Sequence, residues 1–214
     1  QPIELHDNIS FENLDDGNIV IESSNKDLEN KNNLAYKAAL LLKNKFNIKK
    51  GIKITIEKNI PLASGLGGGS SNAASTLIAL NKSWDLNLSQ KKLIKLALEI
   101  GSDVPFFIVG ESALVENIGD KIKPLKKSIS MNIVLVNPGI KVSTAWAYKE
   151  FDKNKSKGKS KKDAKELIRA IGKKDIKKVS ENLYNDFDPI IEKKFKIVRE
   201  IKANLKKFDA LNSL

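Results

Sequence analysis

The chain has 214 residues, of which 41% are hydrophobic and 30% are charged, and its formal net charge is +12. This composition is typical of a folded globular protein and excludes a collagen-like or a largely disordered chain. The absence of cysteine and the single histidine, His6, exclude disulfides, cysteine-based metal sites and multi-histidine metal sites. No apolar run reaches the ~18–20 residues of a membrane helix, and the N-terminus lacks a signal-peptide pattern. We therefore expect a cytoplasmic protein with no membrane partner.

Most of the excess positive charge lies after Lys121, including the stretch 153–162, which has no apolar residue. A basic surface is one indication of nucleic-acid binding. Against that interpretation, aromatic residues make up only 6% of the chain, none lies in the basic stretch, and nearly every cation is lysine rather than arginine. We interpret the basic residues as a solvated loop and polar helix faces, and expect no nucleic-acid partner.

The first part of the chain predicts elements in the order strand, strand, helix, strand. Residues 8–14 and 19–22 alternate polar and apolar side chains on either side of an Asp-Asp-Gly-Asn turn, which predicts a hairpin. Asn33 begins a predicted helix over 34–46, where apolar residues recur at helical spacing. Residues 52–57 alternate again and predict a third strand.

A glycine-rich segment follows this third strand. Residues 58–74 read Lys-Asn-Ile-Pro-Leu-Ala-Ser-Gly-Leu-Gly-Gly-Gly-Ser-Ser-Asn-Ala-Ala and run into a predicted helix over 75–82. Glycines leave backbone N–H groups accessible, and the first turn of a helix has about four N–H groups without intrahelical partners. The positive end of the helix dipole adds to this, so the segment predicts a phosphate-binding loop.

Two common phosphate loops do not match this segment. No Gly-Lys-Ser/Thr follows Gly65 at the required spacing, and Ser70 stands where a dinucleotide fingerprint needs glycine. The alternative interpretation is a flexible turn that only lets strand and helix pack closely. Four of the five residues 65–69 are glycine, more than such a turn needs, which favours the phosphate loop.

The remainder of the chain predicts further helices and short strands. Ser89 caps a predicted helix that ends before Gly101. Three apolar stretches predict strands, at 106–109, 112–117 and 131–136. Ser143 or Thr144 caps a further helix through Phe151, and residues 163–214 are predicted to be helical throughout.

Asp103 lies at a predicted junction between a helix and a strand, between a glycine and a proline. A carboxylate held firmly at such a junction and still reachable can act as a base. The same carboxylate can instead cap a helix. Spacing alone leaves both interpretations open.

The glycine-rich segment resembles the phosphate-binding motif of the GHMP kinases, the superfamily of galactokinase, homoserine kinase, mevalonate kinase and phosphomevalonate kinase. Within it, the segment together with Gly-Ser-Asp-Val-Pro at 101–105, Asn-Pro-Gly-Ile-Lys-Val-Ser-Thr at 137–144 and Asn-Asp-Phe at 185–187 resembles the 4-diphosphocytidyl-2-C-methyl-D-erythritol kinases. The resemblance covers nearly the whole chain.

This resemblance implies a fold and an activity. The fold is an α+β fold of two lobes with the active site between them, an N-terminal lobe over 1–125 with the ATP loop and a C-terminal lobe over 126–214 that is incomplete. The activity is ATP-dependent phosphorylation of the 2-hydroxyl of 4-diphosphocytidyl-2-C-methyl-D-erythritol, in the non-mevalonate pathway of isoprenoid biosynthesis. ATP and Mg²⁺ are implied with few protein ligands for the metal, and the protein is expected to be a monomer or homodimer.

The resemblance also implies roles for single residues. Asp103 matches the catalytic aspartate of the family, which favours the base over the helix cap. Asn33 and Lys58 match positions near the nucleotide base, and Thr144 and Tyr148 match substrate positions, with Tyr148 stacking on cytosine or, alternatively, packing on the core. The residues that match the ATP-binding segment are Pro61, Leu62, Ala63, Ser64, Gly65, Leu66, Gly67, Gly68, Gly69, Ser70 and Ser71.

The chain departs from the family pattern at both ends. Members begin with a lysine-containing strand and a Gly-Tyr-His segment and carry a Ser-Gly-Ser-Gly type of motif near the C-terminus, and this chain starts after the former and stops before the latter. We therefore expect little or no kinase activity from this chain alone. The alternatives are a kinase of the same superfamily with another small substrate, or a nucleotide-binding remnant without catalysis.

Overall fold

A computed structural model of the protein describes residues 1–154 and 163–214. Most of the lysine-rich loop predicted at 153–162 lies outside the described residues. The chain divides into two compact units, Gln1–Leu125 and Lys126–Leu214. Helices and small sheets together make an α+β fold, as predicted from the sequence.

The first unit contains a three-stranded sheet in the order β1–β3–β2, formed by β1 (Asn8–Leu14), β2 (Ile19–Ser23) and β3 (Gly51–Glu57). The predicted hairpin is therefore wrong, because β3 lies between the other two strands, antiparallel to β1 and parallel to β2. The reason is burial. Ile52, Ile54 and Ile56 of β3 are at most 1% exposed, whereas β1 and β2 alternate half-buried and exposed residues. The most buried strand takes the centre, where both of its edges are hydrogen-bonded.

Two helices cover this sheet. After a short 3₁₀ turn, Lys26–Leu28, helix α1 spans Leu34–Lys45, and the side chain of Asn33 caps it by accepting from the N–H of Ala35 at 2.9 Å. Helix α2 spans Gly68–Ser83, so it begins seven residues before the predicted helix at 75–82. The two helices pack closely through small buried residues, among them Ala35, Ala38, Ala39, Ala73 and Ala74.

Two more helices and a hairpin complete the first unit: α3 (Gln90–Leu98), α4 (Val104–Val109), β4 (Ala113–Glu116) and β5 (Lys121–Pro124). The strand predicted at 106–109 is wrong, because these residues form α4. Pro105 at the first turn and Gly110, with a φ of 72° at the C-terminal end, favour a helix despite the β-branched and aromatic side chains between them. Packing of α4 against α2 and α3 overrides the strand propensity.

The second unit is helical. Its helices are α5 (Thr144–Asn154), α6 (Ala164–Lys173), α7 (Ile176–Asn182), α8 (Asp188–Lys194) and α9 (Lys196–Lys207). The strand predicted at 131–136 is wrong: no strand of the described residues pairs with this stretch, and Ile133 to Val136 are 48–73% exposed. A strand needs a hydrogen-bonded neighbour, which apolar composition cannot supply. Within the described ranges, no helix is both long enough and apolar enough to span a membrane.

Candidate functional site

The glycine-rich segment connects the end of β3 to the start of α2. Gly68, Gly69, Ser70 and Ser71 already belong to the first turn of α2, and Gly67 is its N-cap with a φ of 70°. Gly65 has a φ of 76°. Backbone in this left-handed region favours glycine, so the chain conformation accounts for the glycines at 65 and 67.

Close packing disfavours a larger residue at two positions. A Cβ atom on Gly67 would lie 2.9 Å from the Cζ atom of Phe107, and a Cβ atom on Gly68 would lie 3.0 Å from the Cγ2 atom of Ile60. Both distances are shorter than ordinary carbon–carbon contacts. The start of α2 therefore packs against the ring of Phe107 in α4 on one side and against Ile60, which follows β3, on the other.

Gly69 has neither of these reasons to be glycine. Its φ is not in the left-handed region, it is exposed, and a Cβ atom there would make only an ordinary contact at 3.6 Å with Leu34. A turn that merely joined a strand to a helix would accept another residue here. An open backbone on the first turn of α2 lets a ligand approach the main chain directly.

The N-terminus of α2 presents backbone donors. The first intrahelical hydrogen bond runs from the N–H of Ser71 to the carbonyl of Gly67 at 2.9 Å. The N–H groups of Gly68, Gly69 and Ser70 precede it, and no acceptor among the described residues is assigned to them. The hydroxyl of Ser71 donates to the carbonyl of Gly68 at 2.9 Å, so its proton is already used within this turn. Three N–H groups at the positive end of a 16-residue helix have the chemistry to bind an anion.

Sequence reasoning missed Asp7, which the structure places beside the glycine-rich segment. Its side chain is fully buried, and its carboxylate accepts hydrogen bonds from Lys58 Nζ at 2.5 Å and from the backbone N–H groups of Asn59 and Ile60, both at 2.8 Å. A fourth hydrogen bond comes from Asn72 Nδ2 at 3.0 Å. Burial by itself raises the pKa of Asp7, but these four hydrogen bonds outweigh it and leave the pKa below its usual value. No sequence pattern connects Asp7 with a lysine 51 positions later.

Two residues predicted near the nucleotide base use their polar atoms inside the protein. Lys58 is bound to Asp7, and its side chain is only 9% exposed. The amide of Asn33 accepts from the N–H of Ala35 and donates to the carbonyl of Leu28 at 3.0 Å. Lys58 lies at the start of the glycine-rich segment, and Asn33 caps α1, which packs on α2. The hydrogen bonds of both side chains are made within the protein.

Asp103 is exposed and precedes α4 directly. Its side chain makes no capping hydrogen bond, so its carboxylate is not committed to the backbone of α4. Phe107, four residues later, contacts the position of Gly67. Because residues four apart lie on the same side of a helix, Asp103 lies on the side of α4 that carries this contact with the glycine-rich segment.

The predicted substrate residues Thr144 and Tyr148 belong to the second unit. Thr144 is the exposed first residue of α5, and the hydroxyl of Ser143, just before it, accepts from the N–H of Trp146 at 3.3 Å. Tyr148 is 57% exposed, and its ring makes an edge-to-face contact with Phe187 at 5.0 Å between centroids. The ring is thus held from one side and open to solvent on the other.

Carboxylates do not gather into a metal site in the part of the chain that the structure describes: no group of three or more His, Cys, Asp or Glu side chains could hold an ion there. In the first unit the structure brings the glycine-rich segment, Lys58 and the N-terminus of α2 together around Asp7, with α4 packed against them.

Comparisons with known proteins match both the segment and the whole chain. Residues 33–111 match the family model of the GHMP kinases N terminal domain. The whole chain aligns with a 4-diphosphocytidyl-2-C-methyl-D-erythritol kinase from Caldicellulosiruptor saccharolyticus at 39% identity, and the alignment covers 73% of that enzyme. It also aligns over its whole length with the enzyme of the same name from Clostridioides difficile, at 41% identity and with 72% of that enzyme covered. This chain belongs to the 4-diphosphocytidyl-2-C-methyl-D-erythritol kinase family.

A solved structure of this kinase family agrees with the fold. The crystal structure of a 4-(cytidine 5'-diphospho)-2C-methyl-D-erythritol kinase matches 95% of this chain and 70% of its own chain, with a TM-score of 0.73 and 25% sequence identity. The family resemblance predicted from the motifs is thereby confirmed, together with the GHMP kinase fold and the classification as a small-molecule kinase.

Proposed function

We propose that this protein transfers the γ-phosphoryl group of ATP to the 2-hydroxyl of 4-diphosphocytidyl-2-C-methyl-D-erythritol. The observation that carries the proposal is the match of the whole chain to kinases named for this substrate, at 39% and 41% identity. The start of α2, with its three backbone donors and open first turn, has the chemistry that ATP phosphates need.

In this proposal residues 61–71 of the glycine-rich segment form the phosphate loop and hold the phosphates. The N–H groups of Gly68, Gly69 and Ser70 donate to phosphate oxygens, and the helix dipole of α2 favours their negative charge. Asn33 and Lys58 lie near the nucleotide base, and they shape this part of the protein through the internal hydrogen bonds described above. Mg²⁺ would supply positive charge to the phosphates and would need few protein ligands, as is usual for this ion.

Asp103 is the proposed catalytic base. It accepts the proton of the 2-hydroxyl while the oxygen forms a bond to the γ-phosphorus, and the bond from that phosphorus to the bridging oxygen of the β-phosphate breaks, releasing ADP. Its exposed carboxylate, free of a capping hydrogen bond, supports this role. Such transfers depend mainly on positioning and charge stabilisation, so no covalent protein intermediate is needed.

Thr144 and Tyr148 are the proposed contacts of the substrate in the second unit. The exposed ring of Tyr148, braced by Phe187, has the geometry for stacking on a base such as cytosine. The protein is proposed to act in the cytoplasm as a monomer or homodimer.

The test is an assay of ADP release and of phosphorylated product with the protein encoded by the complete reading frame that contains this chain. We expect transfer to the cytidyl substrate, and a loss of about 10²–10⁴-fold in kcat for Asp103→Asn, which removes the base and keeps the shape. Asp85→Asn is the matched control, since Asp85 is also exposed and its φ of 52° suits asparagine, so its kcat should be unchanged.

The other outcomes are decisive. Phosphorylation of mevalonate, homoserine or a sugar in place of the cytidyl substrate would assign another GHMP kinase activity. ATP binding without any transfer would indicate a remnant that binds nucleotide. The 214-residue chain assayed alongside tests the expectation that it has little activity by itself.

A further inference from the structure

The carboxylate of Asp7 is hydrogen-bonded to both ends of the glycine-rich segment. Its Oδ1 atom accepts from the N–H groups of Asn59 and Ile60, which lead from β3 into the segment. Its Oδ2 atom accepts from Asn72 Nδ2, on α2 directly after residues 61–71, and from Lys58 Nζ. A carboxylate has about four acceptor sites, so Asp7 has none left for a ligand.

We propose that Asp7 is a positioning residue for the phosphate loop, and that by tying residues 58–60 to Asn72 it sets the affinity for ATP. This inference rests on the proposed function of the loop, although it concerns a residue to which that function gives no contact. Asp7 is fully buried, so it acts through the main chain of the loop rather than on ATP itself.

The packing between the tied residues shows how the effect would reach the phosphates. Ile60, whose N–H is bound to Asp7, presses its side chain on Gly68, where a Cβ atom would lie 3.0 Å away. Asn72 lies one turn further along α2. Release of residues 58–60 therefore moves Ile60, against which the first turn of α2 packs. This movement changes the direction of the backbone N–H groups of residues 68–70.

The charge of Lys58 makes this tie necessary. Its ammonium group lies 3.2 Å from the position of a Cβ atom on Gly68, at the positive end of α2, and its side chain is 9% exposed. A cation is unfavourable there unless an anion neutralises it. Without the carboxylate of Asp7, Lys58 turns out toward water and pulls residues 58–60 with it.

The first test is Asp7→Asn in the protein of the complete reading frame. Asparagine keeps the shape and one acceptor, but its NH₂ group faces the donors of Lys58 and Asn72. We expect the equilibrium Kd and the KM for ATP to rise about tenfold or more, because hydrogen bonds to a charged group are lost. The kcat at saturating ATP and the KM for the cytidyl substrate should stay within about threefold.

This split separates positioning from simple destabilisation. A variant that is only less stable has a smaller active fraction, which lowers kcat and leaves the KM for ATP unchanged. In addition, Asp7→Asn should raise the Kd for ATP by a smaller factor in a Lys58→Met background than in the native one, because the Lys58–Asp7 pair is then already broken. Additive effects would contradict the proposal.

Glu57→Gln is the matched control. Glu57 accepts from Asn8 Nδ2 at 3.0 Å and joins the same two strands one position away from the tie, but on the exposed side. Like Asp7→Asn, the substitution Glu57→Gln converts a carboxylate to an amide. Its Kd for ATP should be that of the native protein, and a rise equal to that of Asp7→Asn would overturn the proposal.

A second variant covers the case in which Asp7→Asn does not fold, as judged by circular dichroism. Asn72→Ala removes only the tie to α2 and leaves the Lys58–Asp7 pair, so we expect a folded protein with a Kd for ATP raised by about threefold to tenfold. Unchanged ATP binding by either folded variant overturns the role of Asp7. A native protein that binds ATP without phosphorylating the cytidyl substrate instead overturns the proposed function, and the Kd comparison still decides the role of Asp7.

Discussion

The carboxylate of Asp7 is ionised in a fully buried position because four donors surround it. Burial alone raises its pKa, and the hydrogen bonds from Lys58, Ile60, Asn59 and Asn72 lower it further than burial raises it. A carboxyl group whose pKa is lower in the folded than in the unfolded state stabilises the fold when it is ionised.

This gives a pH dependence with a definite sign. The contribution of Asp7 is fully present above the unfolded pKa of about 3.9 and is lost as the pH falls through the lower folded pKa. We expect the difference in free energy of unfolding between the native protein and Asp7→Asn to be constant from pH 7 to about pH 5 and to shrink below about pH 4. Urea unfolding of both proteins at each pH measures it, and a difference that does not change with pH would contradict the assignment.

At the scale of the element, the N-terminus of α2 combines a structural and a functional demand for glycine. Gly67 is fixed by its φ of 70° and by the ring of Phe107, whereas Gly69 has an ordinary backbone and an open surface. Substitution by alanine at these two positions therefore separates folding from ligand binding on one helix turn.

We expect Gly67→Ala to lower the free energy of unfolding by about 1–3 kcal/mol, through left-handed backbone strain and overlap with Phe107. Gly69→Ala should leave stability unchanged or slightly higher, because alanine favours a helix. It should nevertheless raise the KM for ATP, since its methyl group stands on the exposed turn that we propose receives the phosphates. Thermal unfolding and ATP kinetics of both variants measure this.

Gly65→Ala is the comparison for the strain term alone. Its φ is 76°, but a Cβ atom there meets nothing within 4 Å. We expect a loss of stability of about 1 kcal/mol, smaller than that of Gly67→Ala. Equal losses at both positions would show that the ring of Phe107 does not limit position 67.

At the scale of the whole molecule, the first unit is held by one core between the sheet and its helices. Leu77 and Leu80 of α2 are fully buried against Leu42 of α1 and Ile54 of β3 in the same cluster. The core thus contains residues of both β3 and α2, the two elements between which the glycine-rich segment runs.

We expect Leu77→Ala to lower the free energy of unfolding by about 2–5 kcal/mol, because it leaves a cavity in this core. The adjacent Ile78 is the matched control, being 46% exposed on the other side of α2. Ile78→Ala should change stability by about 1 kcal/mol or less. Chemical denaturation measures both, and similar losses for the two variants would contradict the placement of α2.

Local signals in the sequence predicted α1 with its Asn33 cap, α3 with its Ser89 cap, β3 and the helical end of the chain, since each depends on neighbours within one or two turns. These signals failed where contacts with elements distant in the sequence decided the secondary structure. The hairpin and the strand at 131–136 both assumed strand neighbours that the fold does not provide. At 106–109, packing of α4 on α2 and α3 turned a strand-like composition into a helix.

The candidate site divides in the same way. The glycines, the helix that follows them and Asp103 belong to short local motifs, so the sequence by itself determined the kinase family and predicted the phosphate loop. Only the tertiary structure brought Asp7 to that loop, showed tight packing at Gly67 and Gly68 but not at Gly69, and left Asp103 without a capping hydrogen bond. The physical reason is that a motif encodes which groups can bind a ligand, whereas the contacts that hold those groups in place come from residues far apart in the chain.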